Sequence, residues 1–224
     1  LGFFVVALDA QIVNVALPHI RAELGGGLSG LQWIVTGYTL MFSALQLFDG
    51  TLSDRIGARR AYGIGMTVFV VASAVCAAAP SLTVLIAGRV LQGIGAAMIT
   101  PTSLALIREA FLDAVQRGRA ITYWALGGSV AAAAGPVLGG VLTQFGWRWI
   151  FLVNLPVGIV ALIVLARVTP FAGRVAPFDW AGQIAAIAAL GGLTFGIIEG
   201  GSVGYAAPEV LAAFVVAVIG AVVF

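Results

Sequence analysis

Lysine is missing from this sequence, and charge of either sign is scarce: eleven Arg and nine acidic residues make up 9% of the 224 residues. A soluble domain of this length needs far more polar surface to face water, so a soluble fold is excluded. The all-Arg basic set, beside so much Ala and Gly, points to GC-rich coding more than to a function. A net charge of +2 implies little, and no nucleic-acid partner is expected. Cysteine and histidine occur once each, as Cys76 and His19, which excludes a disulfide framework and a His/Cys metal site. His19 falls in a predicted outer loop with no carboxylate at a telling spacing, so a nucleophile–base triad, and with it an enzyme, is not expected. The glycines of "GRVLQGIG" lie within an apolar run, not at a strand-to-helix turn, and are no nucleotide site. No cofactor and no ATP-driven pump are expected.

Apolar length is what the chain has in abundance. Its residues are 61% hydrophobic and its mean hydropathy is +1.11. Runs of about 18 or more apolar residues recur, each long enough to cross a bilayer as a helix. Hydropathy with Gly, Pro and charge breaks predicts eight spans near 1–18, 31–52, 61–79, 82–104, 118–142, 149–167, 180–199 and 208–224. Loop charge alternates: Arg55, Arg59, Arg60, Arg108, Arg117, Arg119, Arg167 and Arg174 fall on one side, Arg21 and Arg148 on the other. That asymmetry predicts a multi-pass protein of the cell membrane with a cytoplasmic N-terminus. Leu1 and Phe224 both lie inside apolar runs, so a longer protein is expected.

Two charges fall inside spans. Asp9 lies nine residues before Pro18, or about 13 Å deep at the helical rise. Arg89 lies about 10 Å from the same face by the same rise. Equal depth makes them candidate partners. One reading is a fixed ion pair that orients two helices; the other is a pair engaged by protons or cations, the default for intramembrane charge. Gln11, Asn14, Gln32, Gln46 and Gln92 read as interhelical hydrogen-bonders more than as ligands. Glu199 and Asp49 fall near span ends.

An internal echo bears on architecture. "GTLSDRIGARR" (50–60) and "GVLTQFGWRW" (140–149) share the pattern G-x-L-[ST]-x(2–3)-G-x-R. They lie at opposite membrane faces, as two inverted three-helix repeats would place them. "RVTPFAGRVAPFDW" (167–180) then reads as a Pro/Gly/Arg linker. The predicted division is a six-helix transporter half over 1–167, a cytoplasmic linker over 168–179, and two further membrane helices over 180–224, the last one cut.

Together these motifs resemble the major facilitator superfamily, and within it the fourteen-helix drug:proton antiporters. "LDAQIVNVALP" (8–18) is similar to the first-helix pattern LDxTxVNVALP, with Gln11 for Thr, and "LQWIVTGYTL" (31–40) to the start of the second helix. "GTLSDRIGARR" resembles the loop 2–3 motif, with Ala58 at a usually basic position. "RVLQGIGAA" (89–97) matches the fourth-helix motif. "GPVLGG" (135–140) matches the core of the fifth-helix antiporter motif, with Ala131 for its leading Gly. "GWRWIFLVNLPVG" and "FDWAG" fit the fourteen-helix branch.

The resemblance implies an all-α bundle of two inverted three-helix repeats plus two extra helices, with the C-terminal half absent. It implies a drug exporter of amphipathic or cationic small molecules, driven by a proton gradient. Asp9 and Arg89 become candidates for proton coupling and substrate contact. Gly50, Asp54, Arg55, Gly57 and Arg59 become a gating loop that latches the two halves. Gly135, Pro136, Gly139 and Gly140 become the antiporter motif. Gly127, Ala131, Gly135 and Gly139 recur every four residues, a line of small side chains that lets a neighbouring helix approach closely, and Pro136 is expected to kink the helix. Two other functions stay open: a non-transporting membrane module, and an importer on the same fold.

Overall fold

The computed structural model describes residues 1–168 and 180–224, apart from the side chains of 47–52, 54 and 180. The described residues form helices α1 (Gly2–Leu24), α2 (Leu28–Ile56), α3 (Ala58–Ala77), α4 (Leu82–Ala110), α5 (Ala114–Phe145), α6 (Trp149–Leu152), α7 (Asn154–Ala166), α8 (Trp180–Val203) and α9 (Pro208–Val223). Among the described residues, six stretches are long and apolar enough to cross a membrane, α6 and α7 counting together as one. The fold is an all-α, multi-pass membrane bundle.

Helix ends overrun the hydropathy breaks. α1 continues through Pro18 to Leu24, so His19 is an exposed helical residue, not a loop residue. α4 and α5 likewise extend past their apolar cores, to Ala110 and from Ala114. Their starts are capped by side chains: Ser81 Oγ accepts from the Val84 N–H and Asp113 Oδ1 from the Gln116 N–H, which satisfies orphan donors of the first turn. The predicted sixth span is broken at Val153. Pro156 has no N–H to give the Leu152 carbonyl, so α6 ends at Leu152, and the proline falls in the first turn of α7, where a missing donor costs nothing.

The packing has the form that inverted repeats produce. α1 packs along α5 and α4 along α2, so the first helix of each three-helix set lies against the second helix of the other. The two echoed turns behave alike as well. Gly57 (φ +86°) and Gly146 (φ +129°) both end helices with a positive φ that other residues rarely adopt. Two residues on, each turn carries an arginine that bonds the far end of the opposite repeat. Arg59 Nε and Nη2 donate to the Leu165 and Ala166 carbonyls, both at 3.2 Å, where α7 ends. Arg148 Nη2 donates to the Ala79 carbonyl at 3.3 Å, just past α3. Each arginine thus meets carbonyls at or just past a helix C-terminus, where the helix dipole favours a cation.

α4 is the central post. Its glycines bring backbones into contact: a Cβ on Gly95 would stand 2.7 Å from the Phe69 nitrogen and 2.8 Å from the Gly65 oxygen of α3, and one on Gly93 would collide with the Tyr38 carbonyl of α2. α8 and α9 pair with each other, and α8 leans on α2. Residues 169–179, most of the predicted linker, lie outside the described residues.

Candidate functional site

Along the bundle the core is two apolar clusters. One gathers Ile12, Val13, Ile34, Leu85 and Phe151; the other gathers Val5, Val6, Met66, Phe69 and Ile99. Four helices carry a polar residue between the two: Asp9 on α1, Ser73 on α3, Arg89 and Gln92 on α4, and Asn154 on α7. All five are 0% exposed.

These residues bond one another. Arg89 Nη1 donates to Asp9 Oδ2 at 2.5 Å and to Gln92 Oε1 at 2.8 Å. Gln92 Nε2 donates to Asp9 Oδ1 at 2.9 Å and to Ser73 Oγ at 2.7 Å. Asn154 Nδ2 donates to Asp9 Oδ1 at 2.7 Å and to Ser73 Oγ at 3.3 Å. Arg89 Nε closes onto α2 through the Ile34 carbonyl at 3.0 Å, and the Arg89 guanidinium lies 4.2 Å from the centre of the Tyr38 ring, a cation–π distance. Asp9 accepts three side-chain donors, as a carboxylate held out of water requires. Two atoms of the layer, Arg89 Nη2 and Asn154 Oδ1, have no hydrogen-bond partner among the described residues.

Asp9 and Arg89, candidate partners by depth, are in direct contact, and Gln92 bonds between helices as expected of it. Ser73 and Asn154 join the layer without having been expected from the sequence. Ser73 also back-bonds the Phe69 carbonyl at 2.8 Å, and nothing in its sequence surroundings marks it. Asn154 stood inside "GWRWIFLVNLPVG", where a polar residue in an apolar run was the available signal. Asp9 and Arg89 are both fully buried, so the layer presents no charge at an open surface of the described residues.

The whole chain, residues 1–224, matches the sequence profile of the Major Facilitator Superfamily. The chain belongs to the Major Facilitator Superfamily. That superfamily is one of membrane transporters rather than of enzymes. It is 44% identical over its full length to the methylenomycin A resistance protein of Bacillus subtilis, covering 48% of that protein. It is 41% identical, again over its full length, to the multidrug resistance protein Stp of Mycobacterium tuberculosis, covering 42% of it. The chain therefore spans about half the length of the curated relatives it matches. A crystal structure of a bacterial homolog of the human lysosomal transporter Spinster superposes with a TM-score of 0.64 at 19% identity, over 97% of this chain and 58% of the other, and shows the shared fold.

The remaining superfamily motifs fall into place unevenly. In the 50–60 turn, Gly57 makes the bend, Arg55 is exposed and Arg59 caps α7 as described. Gly50 beyond its backbone trace and the side chain of Asp54 lie outside the described residues. In the fifth-helix motif, Gly135 and Gly139 are buried against α1: a Cβ on Gly135 would stand 2.6 Å from Gln11 Cβ, and one on Gly139 3.0 Å from the Ile12 oxygen. Gly140 meets open space and Pro136 is exposed, and α5 runs on through Pro136 as one helix. The seam is offset at its start from the four-residue line. A Cβ on Gly127 would touch nothing, whereas one on Gly128 would strike the Phe3 ring, so the buried series is Gly128, Ala131, Gly135, Gly139. Each four-residue step drifts about 40° around the helix, and the three-residue step from Gly128 to Ala131 offsets that drift, so the buried series stays on the side that faces α1.

Proposed function

We propose that residues 1–224 form the N-terminal half and two linker helices of a proton-coupled exporter of amphipathic or cationic small molecules in the cell membrane. Its N-terminus is cytoplasmic, and a C-terminal half of the same protein completes it. The likeness over the full chain to two resistance proteins supports export, as does the fifth-helix seam. The observation that carries the coupling is the buried Asp9–Arg89 pair. A proton delivered to Asp9 removes the counter-charge of Arg89 and rewrites the bonds of a layer that joins four helices. Conformations that tolerate one charge state and not the other then exchange population as protons bind and leave.

The test uses the full-length protein in inside-out membrane vesicles with an acid interior. Addition of rhodamine 6G should give uptake that stops when a protonophore dissipates the gradient. Dye flux indifferent to the gradient would overturn the coupling, and absence of flux in either condition would overturn the export.

A further inference from the structure

The hydrogen bonds of the buried layer fix where its hydrogens point. Gln92 gives both hydrogens of its NH2, to Asp9 Oδ1 and to Ser73 Oγ. Its Oε1 already accepts from Arg89 Nη1 and, at 3.6 Å, from Cys76 Sγ. Ser73 gives its hydroxyl hydrogen to the Phe69 carbonyl, so toward Gln92 and Asn154 it is an acceptor alone. Asn154 gives its NH2 to Asp9 Oδ1 and, over a longer 3.3 Å, to Ser73 Oγ. That leaves Asn154 Oδ1 as the acceptor of the layer with no donor among the described residues; Arg89 Nη2, also without a partner, is itself a donor. Asn154 is 0% exposed, so its open oxygen lies inside the bundle, beyond reach of anything that packs on the outside.

This arrangement suits a carboxylate and not a carboxylic acid. Asp9 Oδ1 receives two N–H groups, which use its two lone pairs. A proton that arrives there needs one donor to leave and an acceptor to take its place. On Asp9 Oδ2 the new O–H would stand beside the Arg89 guanidinium with no acceptor for it, and a buried donor left unmatched is costly. Gln92 is held at both ends of its amide, Asn154 at one. A half-turn of the Asn154 amide exchanges its nitrogen and oxygen. It gives up the bond to Ser73, the longest N–H···O bond of the layer, and sets Oδ1 against the proton on Asp9. In either orientation one end of the amide is bonded and the other open, so the charge on Asp9 decides between them.

The titratable groups that face Asp9 from neighbouring helices are Arg89 on α4, Tyr38 on α2 and Cys76 on α3, and the Tyr38 hydroxyl donates to the Val6 carbonyl. α6 and α7 contain none. Those of α5, Arg117, Arg119 and Tyr123, all precede Gly128, which meets Phe3, and so lie beyond the level of Phe3, away from Asp9. We propose that Asn154 is a positioning residue that follows the charge of Asp9: its amide donates to the carboxylate and turns over to accept from the acid. The proposal rests on the assignment of proton coupling to the Asp9–Arg89 pair and names the side chain that answers the proton first. Asn154 opens α7 at the break in the sixth span, so the turn acts where that span already yields.

Infrared difference spectra of the full-length protein in lipid, stepped from alkaline to acidic pH, test it. Asparagine labelled with a heavy isotope at its side-chain carbonyl marks the amides, and Asn154→Leu assigns the band of Asn154, or Asn154→Ser should leucine prevent folding. In unlabelled protein, Asp9→Asn with Arg89→Gln assigns the carboxyl band of Asp9. That carboxyl band should appear on acidification, and the Asn154 carbonyl band should move to lower frequency over the same pH range, as an open carbonyl does on gaining a donor. A carboxyl band from Asp9 beside an unmoved Asn154 band would overturn the proposal and leave the coupling assignment standing. No carboxyl band from Asp9 at any pH that supports gradient-driven efflux would overturn both. Both band changes, in vesicles that show no gradient-driven efflux, would sustain the role of Asn154 and remove the exporter reading. A folded Asn154→Leu variant should lose efflux several-fold, and efflux at the parental rate would also overturn the proposal.

Discussion

Changing Asp9 to Asn keeps the shape of the side chain and removes its charge. In the folded protein Asp9 faces three donors, from Arg89, Gln92 and Asn154. The new amide has one acceptor oxygen for them, and its NH2 must point at another donor. Arg89, 0% exposed and with Nη2 already lacking a partner, is left as a buried charge without its counter-ion. Breaking such a pair from one side costs about 3–5 kcal/mol, which for a unit of this size corresponds to a fall in Tm of roughly 6–20 °C. Removing both charges, as Asp9→Asn with Arg89→Gln, takes away the uncompensated ion and should recover most of that loss, because neutral replacement of a whole buried pair is often nearly without cost. Transport separates the structural role from the coupling role. The single variant should lose gradient-driven efflux, and the double variant should regain stability without regaining efflux. Thermal unfolding of the purified full-length protein, followed by tryptophan fluorescence, and vesicle efflux give the two readings. A single variant as stable as the parent, or a double variant no more stable than the single, would refute the electrostatic reasoning. Restored efflux in the double variant would refute the assignment of coupling to this pair.

Three further outcomes follow from the packing. Gly135→Leu should separate α1 from α5 and abolish efflux, with a loss of about 1–3 kcal/mol, typical of overpacking, whereas Gly118→Ala, which meets open space, should leave both stability and efflux unchanged. Arg59→Lys cannot fork onto the two carbonyls that Arg59 now bonds and should cost about 1 kcal/mol in thermal unfolding; Arg148→Lys should shift the same measurement in the same direction. Glu199 accepts from Ser29 Oγ at 2.6 Å and from Trp33 Nε1 at 2.9 Å, so Glu199→Gln should speed amide hydrogen exchange in α8 and leave that of α4 unchanged.

Much of the bundle was legible because membrane insertion writes itself as hydropathy, and because a charge in hydrocarbon must find a partner. Asp9 and Arg89 could be matched by depth alone. Ser73 could not, since a serine in an apolar helix is as often bonded only to its own backbone, and its role depends on which residues three other helices bring alongside. The seam on α5 could be seen as a line of small residues but not assigned to Gly128 over Gly127, because that choice is set by the angle at which α1 crosses. Helix ends were the least readable: once capped by Ser81 or Asp113, the helices run on into polar sequence where hydropathy falls away. The break before α7 was written in Pro156, yet only the position of Leu152 one turn earlier tells where the chain yields.

The α8–α9 hairpin touches the rest of the described protein along one helix. Glu199 holds Ser29 and Trp33 near one end of α2, and Gln183 Nε2 donates to the Ala44 carbonyl at 2.8 Å further along it. A hairpin seated this way can be inserted into a gene, or lost from it, without a single change in the core formed by α1, α3, α4 and α7. Its acquisition asks for a connector, one compatible flank on α2, and two polar fastenings. On this architecture, helix number is a peripheral trait that lineages can vary while the buried charge layer stays intact.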